Sequence, residues 1–171
     1  MTFQIRPAQP VDAPRIAHVQ VESWKTTYAG IVPNSFLDAL SKEGRTQRWQ
    51  EQLEGQATLI FVAEDENGIF GFITGGPIRE PFGKYDAELY AIYLLQSHQK
   101  RGTGRVLIQT LAIALHDLGS KSMVVWVLEA NPAVEFYKHL GAIPITQKSI
   151  HIGGVDLPEL ALGWPRLQTL L

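Results

Sequence analysis

The stretch from Glu88 to Leu128 limits the fold of this chain more than any other. An apolar run, Glu88 to Leu95, leads into Gln99-Lys100-Arg101-Gly102-Thr103-Gly104-Arg105. Leu107, Ile108, Leu111, Leu115 and Leu118 then recur at helical spacing, and Gly119 ends the pattern. Met123 to Leu128 is a second compact apolar run. Strand, helix and strand in that order imply two parallel strands joined by a crossover helix, because a tight hairpin cannot join parallel neighbours.

The loop between the first strand and the helix is suited to a phosphate group. Glycines let backbone N–H groups turn toward one point and let a ligand come close. A helix start adds unpaired N–H donors and the positive end of the dipole. Lys100, Arg101 and Arg105 add full charges. Taken alone, these features also fit a plain turn before a solvated basic helix. A dinucleotide fingerprint would need a third glycine where Leu107 stands. A Walker-type loop would need Lys and then Ser or Thr after Gly104, and the chain has Arg105 and Val106.

Elsewhere the periods alternate. Phe3 to Arg6 is a short strand stopped by Pro7, and Asp12 is placed to cap the helix that carries Ile16, Val19, Gln20 and Trp24. Asn34 is placed to cap a short helix, and Glu43 to Leu53 is another. Thr58 to Ala63 and Ile69 to Thr74 are strands about an Asn67-Gly68 turn. Asn131-Pro132 opens a helix holding Phe136, Tyr137 and Leu140, closed by Gly141. Ile143 to Ile152 and Val155 to Leu162 flank Gly153-Gly154, a hairpin signal. The predicted order is β-α-α(α)-β-β-β-α-β-α-β-β. It describes one domain spanning 1–171, of mixed α/β class, with helices on both faces of a mixed sheet.

Composition narrows the function. The 171 residues carry a net charge of −2, with no basic excess to bind nucleic acid. No apolar stretch approaches the ~20 residues that span a bilayer, and no signal peptide is evident. The chain reads as a soluble, cytoplasmic protein. Cysteine is absent, which removes disulfides, zinc–thiolate sites and a thiol nucleophile. The five histidines never fall at i, i+4 spacing, so no metal is expected.

Gln99-x-x-Gly102-x-Gly104 after an apolar strand resembles the pyrophosphate motif of the GNAT superfamily of N-acetyltransferases. Downstream, Asn131, Ala133, Phe136, Tyr137 and Gly141 stand as Asn-x-Ala-x-x-Phe-Tyr-x-x-x-Gly, which is similar to the family's next element. Where many relatives have proline between strand and loop, this chain has Gln96-Ser97-His98. The resemblance implies a GNAT-like fold with a splayed central pair of parallel strands and acetyl-CoA as cosubstrate. It implies an acetyl-CoA site formed by the backbone near Leu94 and Leu95, by Gln99, Lys100, Arg101, Gly102, Thr103, Gly104 and Arg105, and by Asn131. Tyr137 would protonate the leaving thiolate and Glu88 would deprotonate the amine. Glu22, Trp24 and Tyr28 would border the site of a small-molecule amine acceptor. A protein N-terminus or lysine is the alternative acceptor, and a non-catalytic acyl-CoA-binding module the alternative of another class. C-terminal strands often build dimers in this family, so a homodimer is compatible with it.

Overall fold

The computed structural model describes residues 2–171. Twelve main elements follow one another. They are β1 (Gln4–Pro7), α1 (Ala13–Thr27), α2 (Asn34–Asp38), α3 (Lys42–Glu54), β2 (Leu59–Asp65), β3 (Gly68–Pro77), β4 (Ala87–Leu94), α4 (Thr103–Asp117), β5 (Met123–Leu128), α5 (Ala133–His139), β6 (Ile143–Ile152) and β7 (Val155–Trp164). The strands form one seven-stranded sheet in the order β1-β2-β3-β4-β5-β7-β6. Only β4 and β5 are parallel, as the strand–helix–strand pattern predicts. No helix is long and apolar enough to cross a membrane among the described residues.

Helices cover both faces of the sheet, and successive strand residues divide between the two. Ile73, Leu89, Val125 and Leu162 pack with Leu107 and Leu111 of α4. Val62, Phe72 and Ile69 pack on the other face with Ile16 and Val19 of α1 and Trp49 of α3. With both faces covered, β3 is buried along nearly its whole length and reads as a continuous apolar run.

Local chemistry explains most boundaries and corrects three. Gly153 and Gly154 have φ of +60° and +86°, as a two-residue hairpin turn requires. Pro7 lies inside β1 rather than ending it; β1 is an edge strand, where a missing N–H is tolerated. Asp12 does not cap α1 with its side chain. Its carboxylate instead accepts from Arg6 at 2.8 and 3.0 Å and from the Gln9 N–H at 2.8 Å. Asn34 is already inside α2, with Pro33 before it and no side-chain cap.

The feature that makes room for a ligand lies at the sheet's centre. β4 and β5 pair only at Ala87↔Met123, Glu88↔Val124 and Leu89↔Val125. At that point the β3–β4 register slips, since Thr74 faces Ala91 and Gly75 faces Leu89, which leaves Tyr90 as the extra residue. An extra residue bends a strand and increases its twist. Beyond Tyr90, β4 stays with β3 while β5 stays with β7, and a gap opens between them.

Candidate active site

The gap is the heart of a cavity of about 570 Å³. Residues Leu89 to Leu94 line it from β4, and Val125 to Leu128 from β5. One end meets the glycine loop. The other runs under α1 and the β6–β7 hairpin.

At the loop end, Gly102 heads α4 with φ of +84° and offers no side-chain cap. A Cβ placed there would find nothing within 4 Å, so the turn faces open space. Lys100 also holds a left-handed φ, +60°, a conformation that costs a non-glycine residue of order 1 kcal/mol or more. A Cβ on Gly104 would come within 3.1 Å of the Phe136 ring, so this glycine brings α4 close to α5. Gln99, Lys100, Gly102, Gly104 and Arg105 all line the cavity. Arg101 and Thr103 do not; they face a separate hollow with Phe3, Asp65, Phe70 and His98.

The strand next to the loop separates two residues that the sequence grouped together. The Leu95 N–H is spent on Phe70 O at 2.9 Å, and Leu95 is not among the lining residues. Alternation along an antiparallel ladder then turns the main-chain groups of Leu94 the other way, toward the gap. The Leu94 carbonyl is already engaged, accepting from Gln99 Nε2 at 3.0 Å and Ser23 Oγ at 3.2 Å. By the same parity the N–H groups of Leu94 and Ile92 are the donors on this edge.

Asn131 and Tyr137 come from the segment after β5. Asn131 Oδ1 accepts from the N–H of Ala133, the first residue of α5, at 2.9 Å, while Nδ2 donates to the Tyr28 hydroxyl at 3.3 Å. Tyr137 lies on α5, edge-on to Trp164 at 6.1 Å, and lines the cavity. Burial, and then the neighbouring Tyr28 phenol, hold its pKa above the ordinary tyrosine value. The hydroxyl is therefore protonated at neutral pH.

At the far end Trp24 stacks obliquely on Tyr28 at 4.6 Å and approaches Phe36 and Tyr93. The Trp24 indole N–H is buried without a hydrogen-bond partner. Tyr93, Trp126, Ile150, Ile152 and Glu159 complete this end, and sequence reasoning missed all five. They come from four separate strands, and no local motif ties them together.

Two expected residues stand elsewhere. Glu22 is on the outside of α1, paired with Lys42 at 2.9 Å, and does not line the cavity. Glu88 belongs to the part of β4 still paired with β5, before the gap opens. Its carboxylate is held by Arg79, with Nη2 at 2.6 Å, Nε at 3.3 Å and the Arg79 backbone N–H at 3.0 Å. The carboxylate is thus occupied, and it lies outside the cavity wall.

Comparison with known proteins agrees with this geometry. The chain is 42% identical to an uncharacterized N-acetyltransferase, YuaI, of Bacillus subtilis, covering 97% of this chain and 95% of the relative. It is 27% identical to a probable N-acetyltransferase of Mycobacterium tuberculosis, covering 92% and 91%. Among solved structures, PaiA N-acetyltransferase from Thermoplasma acidophilum, in complex with coenzyme A, superposes with a TM-score of 0.72 at 21% identity, covering 94% of this chain and 98% of the other. A putative acetyltransferase, YncA, of Salmonella typhimurium, solved with acetyl-CoA, gives 0.74 at 22% identity, covering 98% and 95%. A family model described as acetyltransferase (GNAT) family matches residues 21–142, and with that match the chain belongs to the GNAT family of acetyltransferases.

Proposed function

We propose that the whole chain is one N-acetyltransferase domain that moves an acetyl group from acetyl-CoA to the primary amine of a small molecule. The observation that carries this reading is the walled cavity running from the glycine loop through the β4–β5 gap. The loop end fits a pyrophosphate: it has open space over Gly102, an uncapped helix start, and Lys100 and Arg105 beside it. Acetyl-CoA, when bound, supplies the acetyl group as a thioester.

The remaining steps belong to this chain's own residues. The Leu94 N–H is aimed where negative charge develops on the thioester oxygen. Asn131 fixes the start of α5 and so the position of Tyr137. The Tyr137 hydroxyl donates its proton to the departing sulfur. At reference values that transfer is uphill by about 2 kcal/mol. Burial steepens it further, and a thiolate developing beside the phenol offsets it. With no cysteine to carry an acyl group, the amine attacks directly in a ternary complex.

A small acceptor is favoured over a polypeptide because the β6–β7 hairpin packs against the α1–α2 region at the far end. The tip of the β6–β7 hairpin sits on the first turn of α2 and the proline before it, where a Cβ on Gly153 would be 2.8 Å from Phe36 Cβ and 3.4 Å from Pro33 Cδ. A peptide needs an open groove at that place. A CoA-release assay over amine, polyamine, amino-acid, aminoglycoside and peptide panels tests the reading. Turnover confined to peptides overturns it.

A further inference from the structure

The acceptor end of the cavity carries a single acid. Among the described residues Glu159 is the only carboxylate in the wall, while the basic lining residues, Lys100 and Arg105, stand at the loop end. Glu159 lies on β7, opposite Leu128 of β5 and Lys148 of β6. It is 8% exposed. Its ion pair, to Lys148 Nζ, is 3.7 Å long, beyond hydrogen-bonding distance. That ammonium is shared, lying 3.4 Å from Glu80 and 4.2 Å from the centre of the Trp126 ring. A carboxylate drawn so far from water is costly to keep charged when its partners are incomplete. A ligand cation would complete them. The surrounding surface suits one, since Trp24, Tyr28, Tyr93 and Trp126 line this end.

We propose, on the small-molecule reading above, that Glu159 selects the acceptor, binding the ammonium of a primary amine borne on an apolar or aromatic body and taking its proton before attack. An acceptor bearing its own carboxylate is disfavoured. It would meet Glu159 with no free counter-charge nearby, because Lys148 already serves two acids. Free amino acids are therefore poor substrates.

The protons balance. The ammonium gives one proton to Glu159, and the neutral nitrogen attacks the thioester carbon. The C–N bond forms, the C–S bond breaks, and the sulfur takes the Tyr137 proton. The new amide nitrogen sheds its second proton, which returns to Tyr137. Glu159 releases the first to solvent, so each turnover frees one proton.

The electrostatics of the pocket agree. Burial raises the Glu159 carboxyl above the ordinary value, which improves it as a proton acceptor. Lys148 on β6 opposes that rise, as does Arg79, while Glu80 reinforces it. Across the pocket, the charge on Glu159 adds to the burial that keeps the Tyr28 phenol protonated.

Glu159→Gln tests the proposal, with Glu159→Asp as the conservative control. Melting curves and acetyl-CoA titration establish that both variants are folded, with acetyl-CoA affinity unchanged. Calorimetry of the CoA-loaded protein then compares phenethylamine with phenethyl alcohol, its neutral counterpart. Wild type is expected to favour the amine at least about 10-fold, and Glu159→Gln to lose that preference, while Glu159→Asp keeps part of it. In CoA-release assays kcat/KM for phenethylamine should fall about 10²-fold in Glu159→Gln near neutrality, as for loss of a general base. Raising the pH toward the amine's own pKa should recover much of it. Equal binding of amine and alcohol by wild type overturns the proposal. So does turnover of phenethylamine with the same preference and pH profile in wild type and Glu159→Gln, and that result leaves the small-molecule reading standing. A binding preference that depends on Glu159, without turnover of any small amine, supports the cation site and overturns the small-molecule reading instead.

Discussion

The two ends of the cavity are built on different principles. The loop end comes from one continuous segment, Gln99 to Arg105, and offers main-chain N–H groups at an uncapped helix start. The acceptor end is assembled from side chains on α1, β4, β5, β6 and β7. A backbone site needs only its turn geometry, so it recurs wherever that geometry is encoded. A side-chain site changes with each residue in its wall, so a family can keep one donor and vary the acceptor. Disturbing the two ends should therefore give separable defects, in acetyl-CoA affinity at one and in acceptor KM at the other.

The largest effect should come where the ends meet, at Tyr137. Tyr137→Phe keeps the ring against Trp164 and removes only the hydroxyl. We expect turnover to fall toward the lower end of the 10²–10⁴-fold range for a lost general acid, because a thiolate is a tolerable leaving group. Acetyl-CoA affinity and the melting temperature should barely move. The wild-type rate should also show no loss from phenol ionisation at about pH 10, where an ordinary tyrosine titrates, since the raised pKa keeps the hydroxyl protonated. Wild-type turnover in the variant would remove Tyr137 from the chemistry.

Next comes Gly102→Val. A β-branched residue is strained at φ +84°, and its side chain would enter the open space in front of the helix start. We expect acetyl-CoA affinity to fall about 10²-fold, roughly 2.7 kcal/mol, with acceptor KM little changed at saturating acetyl-CoA. Gly104→Val should differ in kind. Its Cβ meets the Phe136 ring, so part of its cost should appear as lost stability. Unchanged calorimetric affinity in both would leave the loop as an ordinary turn.

A smaller effect should mark the other end. Gly153→Val places a Cβ 2.8 Å from Phe36 Cβ, at φ +60°. The hairpin tip must lift from α2, loosening the acceptor wall. We expect acceptor KM to rise several-fold with acetyl-CoA affinity intact. A loss of acetyl-CoA affinity instead would show that the ends are coupled, and the contrast between them would fail.

The same contrast explains what the sequence could reveal. The loop motif and the Asn131–Tyr137 segment are local, and the structure brings Tyr137 and most of the loop to one cavity. The parallel pair was legible from element order alone. The gap itself was not, because it depends on Tyr90 being the extra residue opposite Thr74 and Gly75. Ladder parity likewise separates Leu94 from Leu95, and no propensity reports it. Glu159 reaches the pocket only through its register with Leu128 and Lys148. Glu22 carried the right charge on the right helix, but on the face turned to Lys42.

The smallest effect should be at Glu88, and it decides between two carboxylates. The family resemblance makes Glu88 a candidate base, yet its oxygens are held by Arg79. The Arg79 side chain is 61% exposed, so solvent screens the pair, and glutamine can still accept from its N–H groups. Glu88→Gln should therefore cost about 1 kcal/mol of stability or less. A lost base is felt most at low pH, where little amine is neutral. For Glu88→Gln we expect a mutant-to-wild-type ratio of kcat/KM that is flat across pH, in contrast to the sloping ratio of Glu159→Gln. A loss confined to low pH and recovered at high pH would make Glu88 the proton acceptor. Arg79 would then have to release it during turnover, and the acid of the acceptor end would be left with binding alone.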